Sequence, residues 1–279
     1  MWTLLQIELF KIFKRPRTYI SFVAITAIIV LIQLAFYMDG ESYIRFGLEA
    51  VNDKFEVSGN IINGYLVCYI ILQTLLIHVP LLITLVAGDL VAGEANMGTL
   101  RMLVTKPLSR ATLIVSKFIA SAVYTLLLLS WMAFLSLFVS LLIFGADDLM
   151  IFRSDKAILL REAEVPWRYF AAFAFAAIAM ITVASLALLM SVFADNSIGP
   201  IVATMSIIIV CTILTGMELP FFNAVKPYLF TRHMLGWKGF FNNPVNYGSL
   251  LKSAGVLVLY IFIFTGTAIL VFRKKDILS

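Results

Sequence analysis

The chain has 279 residues, of which 62% are hydrophobic and 13% charged, with a formal net charge of +5. A soluble domain averages roughly 45–50% apolar and about 25% charged residues, so a conventional water-soluble globular protein is excluded. A bilayer accepts the surplus directly, because each spanning helix needs about 20 mostly apolar residues.

Residues 2 to 15 come first. At 100° per residue Trp2, Leu5, Leu9, Ile12 and Phe13 fall on one side of a helix, and Glu8, Lys11, Lys14 and Arg15 fall on the other. An amphipathic helix of this kind is expected to lie in the membrane interface, the alternative being a cytoplasmic extension of the first span. Pro16 then breaks it. The first twenty residues lack the order of basic, apolar and small residues that marks a signal peptide, so the N-terminus is expected to be retained.

Apolar runs long enough to cross a bilayer follow at about 20–38, 61–87, 112–144, 169–193, 198–217 and 249–272. They lack the alternation of a membrane β-barrel. The expected fold is therefore an all-α integral membrane protein with six transmembrane helices, a single membrane domain over 1–279. The third run exceeds one crossing and should tilt or extend into an interface.

The connecting segments are too short for a soluble domain. Segment 145–168 mixes Asp147, Asp148, Asp155, Glu162 and Glu164 with Arg153, Lys156, Arg161 and Arg168, and reads as a solvated outer loop or surface helix. Segment 218–248 interleaves Phe221, Phe222, Tyr228, Phe230, Trp237, Phe240, Phe241 and Tyr247 with Pro220, Pro227 and Pro244. Aromatics at that density suit a headgroup-level or re-entrant element, acting either as an interfacial anchor or as a lid over a translocation path.

With the N-terminus inside, 11 of the 21 Lys and Arg residues lie inside, nearly a tie under the positive-inside rule. Clustering decides it: four basic residues precede the first span and three follow the last. Both termini are expected to be cytoplasmic. The basic residues flank apolar runs, which points to membrane lipid and not nucleic acid as their partner. Cys68 and Cys211 both lie in apolar runs and read as packing residues.

Catalytic strings are absent from the sequence. There is no phosphate-binding G-x-x-x-x-G-K-[ST], no H-E-x-x-H and no G-x-S-x-G. His78 and His233 have no ligand-type spacing, so no metal site is expected. The scattered methionines give no soft-metal path. His78 and Gln73 are the conspicuous polar residues at membrane depth, a candidate intramembrane site. The structural alternative is that Pro80 frees a carbonyl near Leu76 and that a neutral His78 bonds locally or to a neighbouring span.

The segment between the second and third spans reads GDLVAGEANMGTLRMLVTKPLSRATLIVSK from Gly88 to Lys117. A short helical stretch is expected at Thr99 to Val104, a stop at Pro107, and a restart at Ser109 as the N-cap of the third span. Leu100, Leu103 and Val104 can form an apolar face, and Arg101 and Lys106 can meet acidic residues of a partner.

This segment resembles the signature region of permease subunits of type-2 ATP-binding-cassette (ABC) transporters. The matching residues are Gly93, Glu94, Gly98, Thr99, Leu100, Leu103, Thr105, Pro107, Ser109, Arg110 and Lys117. The N-terminal helix, of the kind called an elbow, and the basic tail from Phe272 to Ile277 add to the likeness. The resemblance implies a cytoplasmic coupling helix seated on a separate ATPase subunit. It also implies a second permease subunit, in a homodimer or heterodimer, and ATP and Mg bound by the partner, with no cofactor on this chain. The expected function is then that of a permease subunit of an ABC exporter in a prokaryotic cell membrane, itself not an enzyme. The rival is a non-transporting anchor or sensor that recruits an ATPase for an envelope process. The substrate is left open.

Overall fold

The computed structural model describes residues 1–49, 62–99, 109–153, 156–217 and 224–275. The chain is mostly helical, with six helices long and apolar enough to cross a membrane. Helix α1 (Trp2–Lys14) leads into α2 (Pro16–Glu49), which is kinked at Asp39. Next come α3 (Gly64–Ala87) and α4 (Asp89–Asn96), joined through Gly88. Helix α5 (Arg110–Ala133) continues through a π-helical turn (Phe134–Val139) into α6 (Ser140–Phe144). After strands β1 (Leu149–Arg153) and β2 (Lys156–Leu160) follow α7 (Val165–Phe193), α8 (Ile198–Gly216), α9 (Phe230–Met234) and α10 (Tyr247–Lys274).

Helix α7 is the axis of the bundle and packs against α3, α4, α5, α8 and α10. Its composition explains why. Ala172, Ala176, Ala179, Ala184 and Ala187 are all fully buried, and small residues let neighbouring backbones approach where the hydrophobic effect cannot drive helices together. Helix α3, the other well-buried span, lies beside it, with α2 and α8 on its flanks.

The third span runs for 35 residues, Arg110–Phe144, and includes the π-helical turn. Such a turn leaves backbone groups out of the α-ladder. Gln33 on α2 supplies one partner, its side-chain amide donating to the Leu135 carbonyl and to Ser140 Oγ, each at 3.0 Å. Below it α6 runs so close to the start of α3 that a Cβ on Gly64 would lie 2.6 Å from the Leu141 Cα.

Two outer segments differ from expectation. Segment 145–168 is neither a plain loop nor a surface helix: it carries an antiparallel hairpin in the register Leu149↔Leu160 to Arg153↔Lys156. Leu149, Ile151, Ile158 and Leu160 are buried on one face, a period-2 pattern that the charged residues around it obscure. The hairpin is tied to α3 by Asn63, whose side chain donates to the Asp148 carbonyl at 2.8 Å and accepts from Leu66 N at the helix start. Residues 218–223 of the aromatic segment lie outside the described residues. The remainder packs onto the bundle as a cap, with Trp237 and Phe241 buried against Tyr69 of α3 and Phe241 against Tyr169 of α7. Arg168 holds it there, donating to the Phe240 and Asn242 carbonyls at 2.8 Å.

Replacing Gly64 with Ala should destabilise the fold by about 1–3 kcal/mol, the usual range for overpacking. Gly255→Ala, where a Cβ meets nothing within 4 Å, should leave the melting temperature unchanged or raised. Thermal unfolding of the two variants in detergent measures the contrast.

Candidate functional site

The end of the bundle that carries the termini of α1, α4 and α10 and the start of α5 holds a concentration of charge. Helix α1 forms over Trp2–Lys14 as its periodicity predicts, but its faces are used differently. Leu4, Glu8 and Ile12 turn into the protein, whereas Trp2 is 70% and Phe10 66% exposed. By periodicity Glu8 and Lys11 fall on the polar side and Ile12 on the apolar one. They face inward because their counter-ions stand on α4 and α5, and the aromatic residues take the outside.

Four charges close into a ring. Lys117 Nζ, fully buried in the second turn of α5, donates to Glu8 Oε2 at 2.8 Å and stands 2.7 Å from Glu94 Oε2. Lys11 Nζ completes the circuit with Glu8 Oε1 at 2.9 Å and Glu94 Oε1 at 2.8 Å. Two carboxylates and two ammonium groups leave no net charge within it. Burial by itself would raise the Glu8 carboxyl, but Lys117 and then Lys11 outweigh it and hold the group below its ordinary 4.5. Burial likewise works against a charged Lys11, yet its bonds to Glu94 and Glu8 lift the ammonium above its ordinary 10.5.

Beside the ring, Asp89 takes a guanidinium on each oxygen, Arg15 on Oδ2 and Arg17 on Oδ1. Its path there depends on Gly93 one turn later, where a Cβ would sit 2.4 Å from Asp89 Oδ1. The first turn of α4 has no cap of its own, and Ser191 of α7 supplies one, its Oγ accepting from Val91 N at 3.1 Å and Ala92 N at 2.9 Å. Gly98, at φ +69°, ends α4 in the left-handed conformation that glycine adopts without a Cβ penalty.

Across the segment, Ser109 caps α5 as expected, accepting from Thr112 N at 3.0 Å. Arg110 reaches the end of α10 and donates from NH1 to the carbonyls of Phe272, Arg273 and Lys275 at 3.2, 3.0 and 2.8 Å. Lys275 in turn contacts the Val192 carbonyl at the end of α7 and Asp195.

Of the residues singled out in the sequence, the structure gathers Gly93, Glu94, Gly98, Thr99, Ser109 and Arg110 at the two roots of this segment. Leu100, Arg101, Leu103, Thr105 and Pro107, with most of the expected Thr99 to Val104 helix, lie outside the described residues. Gln73 and His78 are elsewhere, on the uncovered stripe of α3. His78 Nδ1 lies 2.8 Å from the carbonyl of Thr74, one turn back, the local contact of the structural alternative. Among the described residues no group of three or more His, Cys, Asp or Glu could hold a metal.

Sequence reasoning missed Glu8 and Lys11 as members of the ring, and Asp89 as the shared partner of Arg15 and Arg17. The available signal was Lys117, a cation inside an apolar run, which demands a buried partner.

The family model for proteins of unknown function named DUF2705 matches residues 24–278. The chain belongs to this family. It is also similar to the uncharacterized protein YhcI of Bacillus subtilis (strain 168), at 26% identity over 204 residues. That match takes in 69% of this DUF2705 chain and 63% of the length of YhcI.

Removing Lys117 strands two buried carboxylates on one ammonium, so Lys117→Met should cost about 3–5 kcal/mol, and the double variant Lys117→Met/Glu8→Gln distinctly less. The ring also sets a pH signature. A depressed Glu8 stabilises the fold above pH 4.5 and loses that contribution as pH falls through its lowered pKa, whereas a raised Lys11 stabilises below 10.5 and loses it as pH rises through its raised pKa. Melting temperature against pH should therefore show a plateau between these limits, with a shallower acid limb in the double variant.

Proposed function

We propose that this chain is the membrane-spanning permease subunit of an ATP-driven exporter of the type-2 ABC class, worked by a separate ATPase subunit. The observation that carries the proposal is the double clamp on the segment between α4 and α5. Its first root is locked through Glu94 to α1 and α5. Its second is locked through Arg110 to the end of α10. A push on the segment would move these helices together, and a coupling element needs a rigid connection of this kind to a bistable bundle.

In this reading residues 99–104 form the coupling helix, with Leu100, Leu103 and Val104 against the ATPase, and α1 lies in the membrane interface as the elbow. ATP and Mg bind on the partner, and both termini are cytoplasmic. A second permease subunit stands beside this one, and Gln73 and Thr74, on the part of the α3 stripe farthest from the charged end, can hydrogen-bond to it.

Co-expression with an ATPase encoded beside it should yield a complex that survives purification. Leu103→Asp should abolish that association and leave the melting temperature of the isolated chain unchanged. A folded chain that never retains an ATPase would end the proposal. An ATPase complex that moves no substrate in sealed vesicles would favour the anchor role instead.

A further inference from the structure

We infer that the corner between α1 and α2 binds the headgroup of an anionic phospholipid, with one acyl chain laid along α3. The charge balance is the first support. The ring of Glu8, Lys11, Glu94 and Lys117 is neutral, but next to it Lys14, Arg15 and Arg17 stand against the single carboxylate of Asp89. Asp89 is nearly buried, at the floor, and uses one nitrogen of each guanidinium. The Arg15 and Arg17 side chains remain 29% and 49% exposed, with their other donors free to meet an anion at the rim. Two planar guanidinium forks around one position suit the oxygens of a phosphate diester.

The shape of the cleft is the second support. Besides the ring residues Glu8, Lys11 and Glu94 and the group of Arg15, Asp89 and Arg17, its lining is Thr18 and the apolar Ile12, Leu85, Val86 and Leu90, so an apolar wall adjoins the two partly exposed guanidinium groups. From Leu85 the uncovered face of α3 continues through Leu81 and Ile77, 45% and 68% exposed, at successive turns. Eight residues of helix give a track of roughly 12 Å, comparable to the upper half of an acyl chain. A free phosphate would use the rim and leave this track bare; a phospholipid uses both. The outward face of α1, with Trp2 and Phe10 exposed and Lys14 Nζ 5.5 Å from the Phe10 ring, sets this corner at headgroup level.

The full chain, purified in detergent, can be titrated with dioleoyl phosphatidylglycerol or dioleoyl phosphatidylcholine and the retained lipid counted by native mass spectrometry. The anionic lipid should be retained in preference. Each arginine replaced by Gln should weaken that preference about fivefold, from roughly 1 kcal/mol per basic residue near an anionic surface. Arg15→Lys/Arg17→Lys should keep part of it, and Lys252→Gln, at the opposite end of the bundle, all of it. Asp89→Asn separates binding from architecture. By removing the competing carboxylate it should raise retention of phosphatidylglycerol, whereas a merely structural pair would lose retention together with melting temperature. Equal retention of the two lipids by the unmodified chain, or a fall in the Asp89→Asn variant, overturns the inference. So does displacement of phosphatidylglycerol by millimolar inorganic phosphate, which would assign the rim to a free anion.

Discussion

Two carboxylates and two ammonium groups held inside an apolar bundle are the constraint around which the loop end of this protein is built. An unpaired buried charge costs several kcal/mol, so Glu8, Glu94 and Lys117 are not tolerable alone, and the partly exposed Lys11 completes their pairing. Each has two partners of opposite sign at 2.7 to 2.9 Å, and the circuit closes. Because the four groups come from α1, α4 and α5, satisfying them fixes where these helices meet. Helix α1, which has no span of its own, is held by charge as much as by Leu4 and Ile12.

The same logic accounts for the glycines near the ring. Gly93 leaves room for the Asp89 carboxylate to lie back along α4 and receive Arg15 and Arg17, and Gly98 supplies the positive φ that stops the helix. Ser109 then caps the start of α5, and Arg110 donates to the open carbonyls at the end of α10, where a cation is favoured by the helix dipole. Much of the motif is thus engaged in fixing the roots of a short segment to the bundle. In the proposed function this rooting matters, since a force applied to a loosely rooted loop would be spent on the loop.

Legibility in the sequence followed how local the determining physics was. Spans depend on length and hydropathy within a window of about 20 residues, and all six were readable. The Ser109 cap depends on three neighbouring residues and was readable too. The direction of α1 was not. Its amphipathic pattern assigned Ile12 to the apolar side and Glu8 to the polar one, whereas Leu4, Glu8 and Ile12 are buried together and Trp2 is exposed, because Lys117, a counter-ion of Glu8, stands on another helix. The hairpin at 149–160 was hidden because charged residues at its tip and flanks outweigh the alternation of Leu149, Ile151, Ile158 and Leu160. The aromatic segment announced itself by composition, yet its packing against Tyr69 and Tyr169 as a cap follows from where α3 and α7 begin.

By itself the sequence determined that the chain lives in a bilayer, how many times it crosses, and which segment joins the second and third spans with turn and cap residues. These follow from hydrophobicity and backbone preference, which act over a few turns of helix. Tertiary structure alone decided that Glu8, Lys11, Glu94 and Lys117 form one neutral ring, that Arg15 and Arg17 share Asp89, and that Arg110 closes α10. The partners of each charge lie far from it in the chain, 109 residues apart for Glu8 and Lys117 and 163 for Arg110 and Arg273, and only the packing of the spans brings them together.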